Sequence, residues 1–528
     1  KGARKTFSSS KSDLQMAKNV RKFEFPKQPN LYKKLSQLFE ISESRARYLC
    51  LKHPVITKLD EQKLNNLLDT ISTIGFKTNA LLEEPGLFGI LPVTLKYRYK
   101  VLEECGFNNI TPAILSSYLT LIRQKTIKEL KENGYILTHT NVENKLASYM
   151  TQWPTSLTTM IYEDISNFTL HDLRLKIMQR YLELVLDLSS NEFYRGIQTY
   201  PTIKHRPLEY INKTLNLLQS QIMMSNHKIK SNLYLIHADP DNLYNLIYKL
   251  RSIGGIDIKE VIRMHPKIAI RSDALLLETR KVLEEYGISN DAQIRCFDIY
   301  TLAPETVRER LENAKGIPEF NAFYKHPRFL KMIHYNKTAI QRLNKLYSTN
   351  KKCLSLNILS GSATHYENFE KAPGDRLGKG NDLVFCISQC LGKKFKMNDI
   401  RNRIKRHPFW INIPVVQVKY VYVQLCPKFN DDEIYENCMI LLYPWKKVRE
   451  MLKLIAKNQI KSQIPSLHAH FECSSLNKSQ KLSLVLYLLE KDHYFSGNGV
   501  WYDDINKNLE YCEEILLKRD LPATIGLK

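Results

Sequence analysis

No uninterrupted apolar run in this sequence exceeds about six residues, as at Leu484–Leu489. A bilayer-spanning helix needs about 20, so membrane insertion is not expected. Cys-x-x-Cys is also missing: of ten cysteines, the closest pair is Cys386 and Cys390. That spacing excludes a zinc-finger framework and reads as reduced, mostly buried thiols in an intracellular compartment. There is no Gly-x-Ser-x-Gly and no His-Glu-x-x-His. The stretch Gly374–Gly380 only faintly echoes a phosphate loop, because a Walker loop has a longer spacer between its glycines and Ser or Thr after its lysine. His468-Ala-His470 does not place two imidazoles on one helix face. The acidic runs Asp431-Asp432-Glu433 and Asp503-Asp504 read as helix starts, with acids at the positive end of the dipole. No catalytic residue, metal ligand or cofactor is expected.

Acidic residues are scarce. Asp plus Glu is 54 against 78 Lys plus Arg in 528 residues, a formal charge of +24. An excess of this size points to a polyanionic partner, nucleic acid before an anionic membrane surface. Residues 1–30 hold eight Lys or Arg and only Asp13 and Glu24 as acids. They read either as a transit-peptide remnant or as a basic flexible tail.

A repeated frame fills much of the chain. Pro54 to Gly75, Pro85 to Gly106 and Pro266 to Gly287 each span 21 positions. Apolar residues recur at fixed offsets from the proline: Ile56, Leu87 and Ile268; Leu64, Leu95 and Leu276; Ile71, Leu102 and Leu283; then Phe76, Phe107 and Ile288 after the glycine. The second and third sets are two turns apart and share a helix face. Asp60 and Ser272 are good N-caps. Pro92 and Asp273 suit a first turn, and the glycine suits a left-handed C-terminal cap. The spacing predicts a helix of about 14 residues, roughly 21 Å long. A preceding helical run, such as Gly255–Arg263, is stopped by the proline. Such a unit cannot bury its apolar face alone and must stack on its neighbours.

Copies at Pro201 (Ile203, Ile211, Leu218, Met223), Pro408 (Trp410, Val418, Leu425, with Phe429 in place of glycine) and Pro327 (Phe329) are worn. His53, His265, His326 and His407 each precede a proline; we read them as turn residues and not as ligands or bases. Val415–Leu425 is rich in β-branched residues yet keeps the helical spacing, so we expect a helix. The expected organisation is a basic segment (1–30), N-terminal helical repeats (31–359), a polar Gly-rich loop (360–382), basic C-terminal repeats (383–465) and a cap (466–528) with an apolar helix, a turn at Gly497–Gly499 and a final helical segment. The fold class is all-α, a helical-repeat solenoid whose hand the spacing leaves open.

Positive charge is concentrated. Residues 391–461 carry 15 basic and 6 acidic side chains, a net +9 in 71 residues. Phosphate neutralisation by such a surface supplies much of nucleic-acid affinity and makes it salt dependent. The expected contacts are Lys393, Lys394, Lys396, Arg401, Arg403, Lys405, Arg406, Lys446, Lys447 and Arg449. Arg251, Arg263, Arg271 and Arg280 are further candidates in the best-formed repeat. Arg401, Arg403 and Arg406 flank a repeat turn. Their replacement by alanine is expected to weaken binding without unfolding the chain.

Two stretches carry a family resemblance. Leu81-Leu82-Glu-Glu-Pro85 running to Leu102-Glu-Glu-Cys-Gly106-Phe107, and Val261-Ile262-Arg-Met-His-Pro266 running to Leu283-Glu-Glu-Tyr-Gly287-Ile288, resemble the repeat of the mitochondrial transcription termination factor (mTERF) family. The segment 360–382 and the ending Leu482–Trp501 resemble insect members. The resemblance implies a left-handed superhelix with two helices and a 3₁₀ turn per repeat. It also implies a mitochondrial matrix location and double-stranded mitochondrial DNA as partner. Transcription would be regulated, by termination or modulated initiation, through a protein roadblock and not through catalysis. Two alternatives stay open: a scaffold that joins a DNA-bound termination factor, and a ribosomal-RNA-binding assembly factor.

Overall fold

The computed structural model describes residues 29–150, 164–377, 380–460, 464 and 472–491. Most of the basic segment 1–30, the His468/His470 pair, Asp503-Asp504 and the turn at Gly497–Gly499 lie outside the described residues, as does the final helical segment. Among the described residues the chain is all-α apart from one small hairpin. It divides between Pro240 and Asp241 into two compact units, a boundary that falls inside the predicted 31–359 array.

The three sharp repeats share one construction. The residue before the proline has nearly the same backbone each time: φ/ψ is −126°/79° at His53, −127°/78° at Glu84 and −129°/78° at His265. Helical backbone is disfavoured before proline, and the chain turns there into a 3₁₀ segment: Ile56–Lys58, Pro85–Gly89 or Pro266–Ile270. A 13-residue helix follows: Glu61–Thr73, Pro92–Glu104 or Asp273–Glu285. Asp60 caps the first by accepting from the Lys63 amide at 2.8 Å. Ser272 makes no such bond; Asn242 Oδ1 instead accepts from the Asp273 amide at 2.8 Å.

Each helix stops at its glycine, with φ of +85°, +87° and +66° at Gly75, Gly106 and Gly287. The residue after the glycine donates back to the helix, Phe76 to Ile71 O, Phe107 to Leu102 O and Ile288 to Leu283 O, at 2.9–3.1 Å. This is the paired Schellman closure. The three apolar offsets before the glycine are buried in all three repeats.

The structure departs from expectation in three places. At Pro201 the helix Leu208–Asn216 runs into a π-turn, Leu217–Gln221. The extra residue moves the stop, so Met223 takes the left-handed position (φ +56°) and is 73% exposed, while Met224 is the buried residue that donates to Leu218 O. Met223 is therefore not the core residue its offset suggested. Next, Gly255–Arg263 is not wholly helical. Ser252–Ile253 and Ile256–Asp257 pair antiparallel around Gly254 and Gly255, both at positive φ, a backbone that suits a two-residue hairpin turn; the helix is Ile258–Met264. Finally, the segment 360–382 is not simply a loop. Ala363–Lys371 is a helix capped by Ser362, and the Lys351 ammonium donates to Phe369, Glu370 and Ala372 carbonyls at 2.6–2.9 Å at its far end. The sequence there is polar because this helix buries only Tyr366. Val415–Leu425 is a helix, as its spacing required.

Candidate nucleic-acid interface

The basic run at 393–406 opens where the helix Asn381–Cys390 ends. Gly392 and Lys393 both have positive φ, +63° and +60°, and turn the chain into the helix Met397–Ile404. Ile400 and Ile404 are buried, which leaves the charged residues outside. Lys393, Lys396, Lys405 and Arg406 are exposed. Lys405 and Arg406 follow the helix C-terminus, where cations are favoured.

The rest of this run is tied into the protein. Lys394 Nζ meets the Asp432 carboxylate at 2.6 Å. Arg401 donates to Asn381 Oδ1. Arg403 donates to the Glu436 carbonyl at 3.1 Å, and its guanidinium lies 4.5 Å from the Tyr435 ring centroid. Tyr435 is itself stacked on Phe395 at 3.7 Å. Two of the three arginines flanking the turn, Arg401 and Arg403, thus hold neighbouring elements together, so triple replacement by alanine would disturb the fold. Asp431, Asp432 and Glu433 form the first turn of Asp431–Glu436, where Asn430 and Glu433 make a capping box. They are helix-start residues, as their position in the sequence suggested.

The helix Trp445–Ala456 gives the clearest surface. Lys446, Arg449 and Lys453 lie at i, i+3 and i+7, with Lys457 one turn further at its C-cap. At 100° per residue these four cations share one face. All four are exposed. Val448 and Ile455, on the opposite face, are buried. Within this helix Glu450 is the one carboxylate. Lys447 lies off it and is half-buried. Lys453 and Lys457 were not among the sequence candidates; their spacing from Lys446 was the signal that could have found them.

The four arginines of the best-formed repeat have different surroundings. Arg271 donates through Nη2 to Leu302 O at 3.1 Å. Arg206 in the first unit makes the matching bond to Ala238 O. Arg206, Ala238, Arg271 and Leu302 all directly follow a 3₁₀ segment, so each arginine clamps the same position one repeat on. Arg271 is architecture. Arg280 pairs with Glu284 at 3.7 Å, and Arg263 is half-buried. Arg251 is exposed, has φ +59°, and turns its Nε back to Tyr248 O.

The pre-proline histidines also serve turns. His326 Nδ1 accepts from the Arg328 amide at 3.0 Å, and His407 Nδ1 from the Phe409 amide at 3.2 Å. Burial pushes the His407 pKa down to about 4, which keeps its ring nitrogen an acceptor. Among the described residues no group of His, Cys, Asp or Glu could hold a metal ion, and no helix is long and apolar enough to cross a membrane. The Asp375 carboxylate within the glycine-rich stretch is half-buried and accepts from the Lys352 and Cys353 amides at 2.7–3.0 Å. It fastens the segment.

The chain is similar to a protein of Drosophila melanogaster named transcription termination factor 5, mitochondrial. The two are 31% identical over 478 residues, which cover 90% of this chain and 83% of that one. No family model matches the chain, and no solved structure matches it.

Proposed function

The chain belongs to the mitochondrial transcription termination factor family, and from that premise we propose that it regulates mitochondrial transcription by binding double-stranded DNA. The observation that carries this reading is the exposed row Lys446, Arg449, Lys453 and Lys457, opposite a buried apolar face. Rows of exposed cations fix a protein on a phosphate backbone. Lys393, Lys396, Lys405 and Arg406 extend the charge, and none of them has a carboxylate partner among the described residues. The protein acts as a bound obstacle or recruiter in the mitochondrial matrix, without catalysis. The likeness to a mitochondrial termination factor supports a mitochondrial location and a role in transcription.

Gel-shift titration tests this with duplex from the protein's own mitochondrial genome and with ribosomal RNA of equal length. Duplex binding is expected to weaken steeply with salt. Changing Lys446, Arg449, Lys453 and Lys457 together to Gln should lower the slope of log K against log salt by about 0.9 for each phosphate left unneutralised. No duplex binding at low salt would sink the direct-DNA reading and favour the scaffold. A strong preference for the RNA would favour the assembly factor.

A further inference from the structure

Two thiols and three lysines share a cavity in the second unit. It encloses about 510 Å³, and Lys315, Lys325, Lys419, Cys386 and Cys390 are among its lining residues, none of which is a carboxylate. Cys386 and Cys390 lie one turn apart on Asn381–Cys390, so both side chains leave the same face. Cys386 is buried and Cys390 is half-exposed. The two thiols adjoin, and the Cys386 thiol donates to the Val415 carbonyl at 3.8 Å. Asn321 holds the Lys419 ammonium in place, its carbonyl and Oδ1 both accepting at 2.8 Å. Lys315 is already engaged, 3.3 Å from the Glu312 carboxylate and over the Tyr286 ring. Lys325 is exposed at the rim.

The chemistry of this group differs from that of the basic surface. The neighbouring Cys386 thiol and the Lys419 charge draw the Cys390 thiol below its ordinary pKa, against burial and Asp431. Cys390 ends its helix, where backbone carbonyls disfavour an anion, so the lysine and the partner thiol supply the opposing stabilisation. A thiolate beside cations is the nucleophilic form of cysteine.

We propose that Cys390 is a reactive-thiol site for a small disulfide that carries carboxylates, with Lys419 and Lys325 holding the carboxylates and Cys386 positioning the sulfur. The Cys390 thiolate attacks one sulfur of the disulfide. A Cys390–S–S bond forms and the original S–S bond breaks. The leaving thiolate takes up a proton equivalent to the one Cys390 released, so the net products are a mixed disulfide and one free thiol. Cys390 is oxidised and the leaving sulfur reduced; no other oxidant is needed.

Cys426 is the internal comparator, because it is the exposed cysteine among the described residues, and exposure alone would make it react first. The folded full chain is incubated at neutral pH with glutathione disulfide (anionic) or cystamine (cationic), and modified cysteines are counted by peptide mass spectrometry. With glutathione disulfide, Cys390 is expected to react several-fold faster than Cys426, because the cations beside it favour the thiolate and hold the reagent's carboxylates. Lys325→Gln, at an exposed position, should cut the glutathione-to-cystamine rate ratio at Cys390 several-fold. Cys386→Ala, which removes the side-chain donor, should move the pH profile of Cys390 alkylation upward. Cys426 reacting first with both reagents overturns the site. Cys390 leading equally with both, or a ratio unmoved by Lys325→Gln, overturns the ligand class.

Discussion

At the scale of single residues, much of the basic charge works inside the protein. Arg310 donates to the carbonyls of Ile333 and His334, and Arg342 to those of Ile358, Leu359 and Gly361. Each closes the C-terminal end of a neighbouring helix, where carbonyls have no intrahelical partner. Arg206 and Arg271 clamp the next repeat. Arg271→Lys loses the planar fork and is expected to cost about 1–2 kcal/mol in urea unfolding; no change would mean the clamp is idle. In the first unit the Glu104 carboxylate accepts from Arg174 and from the Leu208 and Glu209 amides, fully buried. Glu104→Gln leaves a buried guanidinium without its counter-charge and is expected to cost about 3–5 kcal/mol, read as a fall in denaturation midpoint.

The histidines give the pH dependence at this same scale. His205, His237 and His407 are each pushed down to about 4, chiefly by burial, with Arg123 acting on His205 and Arg206 on His237. Their folded pKa lies below the unfolded value near 6.5. The unfolded chain therefore binds protons first as pH falls. Stability from these groups is intact above about pH 6.5, declines towards pH 4 and levels off below. Thermal melts across that range should show it, and His407→Gln should flatten the decline.

At the scale of elements, prolines and glycines were legible because their covalent geometry acts locally. Proline restricts its predecessor and glycine tolerates positive φ wherever they stand. The glycine stops make a graded prediction. A Cβ at Gly287 meets nothing within 4 Å, while one at Gly106 meets Thr140 Cγ2 at 3.2 Å. Gly287→Ala should cost about 1 kcal/mol, from the left-handed backbone alone. Gly106→Ala should cost more, and equal losses in chemical denaturation would contradict this. Met223→Gly relieves a non-glycine residue at φ +56° and is expected to stabilise by about 0.5–1 kcal/mol. The π-turn that moves Met223 was not legible. One residue added inside a helix changes no residue type, and only the packing of Leu218 and Met224 fixes it. The Gly254-Gly255 hairpin was missed because the apolar pattern after it resembles a continuous helix.

At the scale of the whole molecule, the count of Lys and Arg overstates the cations free to meet a polyanion. Arg174, Arg206, Arg271, Arg310, Arg342 and Lys351 are spent on carbonyls and one carboxylate. The salt slope of duplex binding should accordingly correspond to far fewer neutralised phosphates than the formal +24. A slope near that charge, measured by titration between 50 and 200 mM salt (about the range where such losses are large), would show that phosphate contacts extend well beyond the exposed cations of 393–406 and 446–457.

The sequence by itself determined the helical repeat: its period, its stops, its buried offsets and its basic C-terminal concentration. These follow from backbone chemistry and periodicity, which act over a few residues. It also held the resemblance through which the family was found. Only the tertiary structure decided which cations face outward. Whether an arginine meets water or a carbonyl some thirty residues away depends on how one repeat packs on the next. Lys446, Arg449, Lys453 and Lys457 remained outside because their helix buries its opposite face, and Arg271 turned inward because the following repeat presents it a carbonyl.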